Sequence, residues 1–163
     1  MRARKSLEPG HRRKFLVVID ETPECQRALH YAARRAERTG GGLVLLYVIV
    51  AGDFRQWLGV ENVMRAEASE LAETTLARFA DLARKWASVE PELVIREGHR
   101  ADEIVKLIAE SEDIANLVLA AGTGAEGPGP LVSALAGKGA GTFPIPITIV
   151  PGGLDEAGIE ALS

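Results

Sequence analysis

The chain has 163 residues, 47% of them apolar and 26% charged, with a formal net charge of -4 and one cysteine. That composition suits a single domain with a buried core, and the longest apolar run, Leu43 to Ala51, is about half of the ~18 residues expected of a membrane span. One cysteine cannot close an internal disulfide, and the first fourteen residues do not resemble a secretory leader, so the expected compartment is the cytoplasm.

Charge is unevenly spread. Arg2, Arg4, Lys5, Arg12, Arg13 and Lys14 face only Glu8 in the first fourteen residues, which leaves the rest of the chain near -9. A basic arm of this kind can touch nucleic acid or anionic lipid. No aromatic residues interleave the charges, so the expectation is a flexible, solubilising arm over residues 1–13, with nucleic acid an unlikely partner.

FLVVI, Phe15 to Ile19, is a short continuous apolar run ending at Asp20, the pattern of a parallel strand buried on both faces. Thr22 and Pro23 then predict a helix start, with Thr22 as N-cap, and Ala28, Leu29, Ala32, Ala33 and Ala36 repeat at helical spacing until Gly40 to Gly42 stop it. Leu43 to Val50 is a second buried strand. Glu61 to Ser88 predicts a long amphipathic helix whose stripe is Met64, Ala68, Leu71, Thr75, Phe79, Leu82 and Trp86. A strand at Glu92 to Arg96, a helix at Ala101 to Ser111, a strand at Asn116 to Ala121, a short helix at Leu131 to Ala136 and a strand at Ile145 to Val150 follow. This alternation predicts an α/β fold with a parallel sheet, helices on both faces and right-handed crossovers.

The stretch LAAGTGAEGPGPLVSALAGKG, Leu119 to Gly139, holds the candidate binding loop. Gly122, Gly124 and Gly127 spell a dinucleotide fingerprint. That fingerprint belongs after the first strand, with an acid about 20 residues on, whereas this one follows the fourth and meets the acid-free FPIPITIV. The pair Gly137-Lys138 is no P-loop ending either, because the spacing requires glycine at Val132 and a hydroxyl residue where Gly139 stands. Two readings remain open: a tight structural turn, or an amide-rich anion site drawing on Gly122, Thr123, Gly124, Gly127 or Gly129, since Pro128 and Pro130 have no N–H to give.

FLVVIDETPECQRALHYAARRAERTGGGLVLLYVI resembles the opening of the universal stress protein family, and EGHRADEIVKLIAE and NLVLAAGTG resemble its third-strand and fourth-strand segments, over about Lys14 to Pro151. The resemblance implies a domain over residues 14–151 followed by a tail, and a five-stranded parallel sheet of order 3-2-1-4-5. It implies a crevice at the carboxyl ends of strands one and four, where open α/β sheets bind ligands. It further implies adenine-nucleotide binding, ATP or AMP and Mg²⁺ with it, by a stress-response regulator without a dedicated catalytic apparatus, slow ATP hydrolysis at most. Adenosine would be held by Asp20 and the backbone of Val48, and phosphates by Gly124, Gly127 and Gly137, with Lys138 standing where the family has a hydroxyl residue. A second register puts Ser133 and Ala134 at the last two positions instead, which makes Ser133 the phosphate ligand. The family likeness also implies a homodimer through antiparallel pairing of strand five, an edge that the tail LDEAGIEALS could cover instead. The alternative function is an interaction module of the same fold that binds a protein partner and no nucleotide.

His11, His30 and His99 are too scattered for a metal or catalytic cluster. Cys25, in the first turn of the first helix, is expected to be a small packed residue rather than a reactive thiol. Asp53, Phe54, Trp57 and Leu58 follow strand two as a core anchor or a flap beside the crevice.

Overall fold

The computed structural model describes residues 3–50 and 61–163. Asp53, Phe54, Trp57 and Leu58 therefore lie outside the described residues. In chain order the elements are β1 (Lys14–Val18), α1 (Cys25–Thr39), β2 (Gly42–Val50), α2 (Glu61–Trp86), β3 (Glu92–Gly98), α3 (Arg100–Glu110), β4 (Ile114–Ala121), α4 (Pro130–Ala136), β5 (Ile147–Pro151) and α5 (Glu156–Leu162). The five strands are all parallel and stand in the order β3-β2-β1-β4-β5, as expected.

Continuous apolar strands make sense here because both faces of the sheet are covered. Phe15, Val17, Ile19, Leu43 and Leu45 point into a core shared with α1 and α2, while Leu16, Val18, Val44, Leu46, Val48, Leu117 and Leu119 point into another shared with α3 and α4. On the first side the contact surface is largely methyl groups. Ala28, Ala32, Ala33 and Ala36 of α1 are buried against Leu76, Ala80 and Ala83 of α2 and the strands beneath, while Ala72 of α2 packs on Ile49 of β2.

That alanine surface shifts the expected stripe of α2. Phe79 is buried as expected, but Leu71 is 51% exposed and Thr75 is half-buried, and the other buried positions, Ala72, Leu76, Ala80, Ala83 and Ala87, lie one residue beyond the expected ones. A helix seated against alanines comes close enough that small residues fit its inner face, and larger ones move to the flanks. Helix α1 also starts later than expected. The Thr22 amide and hydroxyl both donate to Asp20 Oδ1, at 2.9 and 2.5 Å, so Thr22 closes a side-chain turn and Glu24 stands at the cap position.

The N-terminal arm, expected to be loose, has partners in the structure. Arg4 Nη1 donates to the carbonyls of Ile108, Ser111 and Ile114 at 2.7, 2.9 and 3.3 Å. Helix α3 has no basic residue in its own last turn, so Arg4 supplies the cation and the donor that the helix end lacks. The Lys5 amide donates to Glu112 O at 3.0 Å, and His11 Nδ1 lies 2.6 Å from Asp113 Oδ1.

The tail forms α5, capped by Asp155, whose side chain accepts from the Gly158 amide at 2.7 Å. It packs on α1 through the fully buried Ile159. Glu160 accepts from His30 Nε2 at 2.8 Å and from Arg34 Nε at 2.9 Å, with His30 stacked on Trp86 at 4.4 Å. Strand β5 has one strand neighbour, β4, and its Ile149 is 41% exposed. Ile145, expected to begin the strand, is instead buried in the α3/α4 core, and pairing starts at Ile147.

Candidate functional site

The crevice arises from unequal strand lengths. Pairing of β1 with β2 ends at Val18 opposite Leu46, with one more bond from the Ile19 amide to Leu46 O at 2.7 Å; β2 continues to Val50 and β4 to Ala121. Because successive residues of a parallel strand address opposite neighbours, Val48 turns its N–H and C=O to the same side as Leu46. The chain has left β1 by then, at Asp20, so those two groups face the gap. Asp20 and Val48 line one cavity of about 290 Å³ together with Glu21, Tyr47, Ile49, Ala68, Leu71 and Arg100. Burial and the nearby Glu21 carboxylate raise the Tyr47 pKa, which keeps its hydroxyl a donor.

Asp20 also borders a neighbouring cavity of about 430 Å³ between the start of α1 and the start of α4, floored by Val18, Cys25, Ala28 and Leu119. Cys25 is buried there, with its thiol donating to Val18 O at 3.6 Å. Burial, with the charges of Asp20 and Glu24 adding to it and a backbone hydrogen bond opposing it, pushes its pKa up to about 12. At neutral pH it is a protonated, inert wall.

The glycine loop borders a third cavity of about 400 Å³, lined by Thr22, Glu24, Arg27, Gly122, Thr123, Gly124, Glu126, Gly127 and Gly129 among others. Part of its donor capacity is spent on the loop itself. Gly122 N donates to Pro128 O at 3.0 Å and Gly127 N to Gly124 O at 3.2 Å, which leaves Thr123, Gly124 and Gly129 with amides to offer. Gly129, at φ 108, makes the turn into α4, a conformation that side chains disfavour.

The structure thus brings Asp20, Val48, Gly122, Gly124 and Gly127 to one end of the sheet, and it does not bring Ser133, Gly137 or Lys138 there. Ser133 is exposed on α4, and its carbonyl would lie 2.4 Å from a methyl group placed at Gly137, so that glycine serves the tight exit from the helix. Lys138 is exposed in the turn beyond, and none of these three lines the cavities around the crevice. Two arginines at the crevice escaped the sequence reading. Arg100, first in α3, borders two of the cavities, and Arg27, third in α1, borders the glycine loop. The available signal was topological: a β3–α3 junction also arrives at the carboxyl end of the sheet, so its first helical residue had to be weighed.

An open parallel sheet with a crevice at its switch point defines an α/β protein of the doubly wound kind, a fold in which that crevice is where ligands are generally held. Within that class the chain belongs to the universal stress protein family, whose model matches residues 11–151. Solved structures agree on the fold. A universal stress protein from Lactobacillus plantarum superposes with a TM-score of 0.69 at 16% identity, covering 85% of this chain and 97% of the other. One from Archaeoglobus fulgidus in complex with dAMP gives 0.56 at 19% identity, with 85% and 97% covered. One from Arabidopsis thaliana with AMP bound gives 0.58 at 19%, with 85% and 91% covered. No curated protein sequence matches the chain.

Proposed function

We propose that the chain is an adenine-nucleotide-binding regulator of a stress response, taking ATP or AMP at the end of β1 and acting as a cytoplasmic homodimer. The observation that carries the reading is the side-by-side placement of the Asp20 carboxylate and the unclaimed N–H and C=O of Val48 on one cavity. A donor and an acceptor on one rigid strand match the donor and acceptor edge of adenine, and a carboxylate beside them accepts from ribose hydroxyls. Relatives named with AMP and dAMP support the same ligand class. The reading keeps Asp20, Val48, Gly122, Gly124 and Gly127 and gives no part to Ser133, Gly137 or Lys138.

Where ATP is the ligand, Mg²⁺ belongs on its phosphate oxygens; among the described residues no group of three or more His, Cys, Asp or Glu is placed to hold a metal ion. Slow hydrolysis is the most chemistry that this site is asked to perform. The homodimer reading draws on the open edge of β5 with its exposed Ile149. Ile149→Lys is expected to convert a dimer to a monomer in sedimentation velocity.

Calorimetric titration with adenosine, AMP and ATP, with and without Mg²⁺, tests the ligand. Asp20→Ala should weaken nucleotide binding at least about tenfold, a loss of ~1.4 kcal/mol, and leave a folded protein. Absence of heat from wild-type protein with every nucleotide at high micromolar concentration overturns the reading. The loop's internal bonds from Gly122 and Gly127 favour one second reading, a stiff interaction module without nucleotide. It is supported by partner binding that survives Gly124→Val.

A further inference from the structure

We infer that Arg27, and not Lys138, is the cation that meets the anionic end of the ligand, in the cavity between the first turn of α1 and the glycine loop. The inference deepens the nucleotide reading and rests on it for the nucleoside half of the ligand, but the anion site stands on its own observations. The first is an arginine whose Nε has no partner. Arg27 Nε is shielded from solvent and makes no hydrogen bond, and the Arg27 side chain has no ion pair among the described residues. Arg13 Nε is in the same condition, but of the two it is Arg27 that lines a cavity at the crevice. A shielded, unbonded Nε costs the fold desolvation that an arriving oxyanion recovers.

The second observation is the helix that carries it. Helix α1 begins with no side-chain hydrogen bond at its cap and no acidic residue in its first turn; the Cys25 and Arg27 amides donate to Thr22 O at 3.3 Å and Glu24 O at 2.9 Å. Its third residue is a cation, the sign that a helix start disfavours. A ligand with negative charge offsets that cation. The third is the opposite wall, where Thr123, Gly124 and Gly129 keep amides to donate across a cavity of about 400 Å³. Lys138 borders neither this cavity nor its neighbours.

Two carboxylates share the space. Glu24 stands where a methyl group at Gly122 would meet its Oε1 at 3.1 Å, and Glu126 folds back over Gly124 in the same way. They oppose an anion, which gives the site a sign test: removing the arginine and removing a carboxylate must act in opposite directions. The chemistry that fits is a phosphate chain with donors on two sides, whether attached to a nucleoside or free.

The experiment is titration of wild type, Arg27→Met, Glu24→Gln and Lys138→Met with tripolyphosphate, ATP and adenosine at low and high salt, with circular-dichroism melts to show that each is folded. The expected result is that R27M weakens tripolyphosphate and ATP at least about tenfold and leaves adenosine unchanged. E24Q should tighten both anions severalfold, K138M should match wild type, and the wild-type preference for ATP over adenosine should shrink with salt. Wild type that binds tripolyphosphate but neither ATP nor adenosine sinks the nucleotide reading and leaves the anion site standing. ATP binding that R27M does not change, or that K138M abolishes, overturns the Arg27 assignment and spares the nucleotide reading. Wild type that binds none of the three ligands overturns both. If R27M fails to fold, Arg27→Lys takes its place, with the intermediate loss a point charge gives.

Discussion

The two ends of the sheet treat their polar groups differently. At the amino end Arg4 closes the carbonyls at the end of α3, Lys14 reaches Glu92 at 2.8 Å, and His11 reaches Asp113. Arg13 is the exception, its Nε shielded and without a hydrogen bond, with the guanidinium 5.8 Å from the Phe15 ring. At the carboxyl end the chain leaves groups open, namely the backbone of Val48 beyond the last β1 pairing and the Nε of Arg27. What distinguishes the carboxyl end is that its open groups line cavities, of about 290 Å³ for Val48 and about 400 Å³ for Arg27, whereas Arg13 lines neither.

Variants can break this contrast, beginning with the core common to both ends. Leu16 is fully buried in the middle strand, so Leu16→Ala should cost about 2–5 kcal/mol in urea unfolding and weaken both ends together. Next is the closed end alone. Arg4→Met removes three donations to carbonyls and should lower stability by about 2 kcal/mol, with nucleotide affinity at 25 °C unchanged; an equal loss of affinity would mean the two ends are not independent. The smallest effect concerns the tail, which lies at neither end. Hydrogen bonds from His30 and Arg34 hold the Glu160 pKa below its ordinary 4.5. A lowered carboxylate pKa favours the fold above the unfolded value and ceases to do so as acid protonates the group in the fold. The urea midpoint of wild type should therefore exceed that of Glu160→Gln at pH 7, and the gap should close below pH 4.5 as Glu160 protonates.

The strands were legible because burial on both faces leaves only one reading for runs such as FLVVI and LVLLYVIV. The stripe of α2 holds at Phe79 and is otherwise one residue off, because hydrophobicity favours Leu71 and Trp86, whereas the alanine face of α1 selects for size, which belongs to the neighbouring helix and not to α2. The start of α1 was missed for a similar reason. Thr22 has the chemistry of a cap, but Asp20 takes its amide and hydroxyl first.

At the site, Asp20 and the glycine loop were visible as motifs, since both interrupt an apolar run at a strand end. Ser133, Gly137 and Lys138 were matched by counting residues along the chain, and counting is blind to the path. Helix α4 is seven residues long and ends at Ala136, and neither it beyond Val132 nor the Gly137–Lys138 turn lines the cavities at the crevice. Arg27 carries no motif at all. It matters because two elements from distant parts of the chain, α1 and the loop after β4, wall the same cavity.

The alanine face of α1 sets more than the packing of two helices. Ala28 is buried in the core and also floors the cavity between α1 and α4, so one methyl group is both part of the core and part of the crevice wall. The height of α1 above the sheet fixes how far its first turn stands from the glycine loop, and that height is measured in methyls. Enlarging Ala32 or Ala33, which line none of the crevice cavities, would lift the helix and open the mouth without touching a ligand-facing group. The aperture of the crevice is therefore set in part by residues behind its wall.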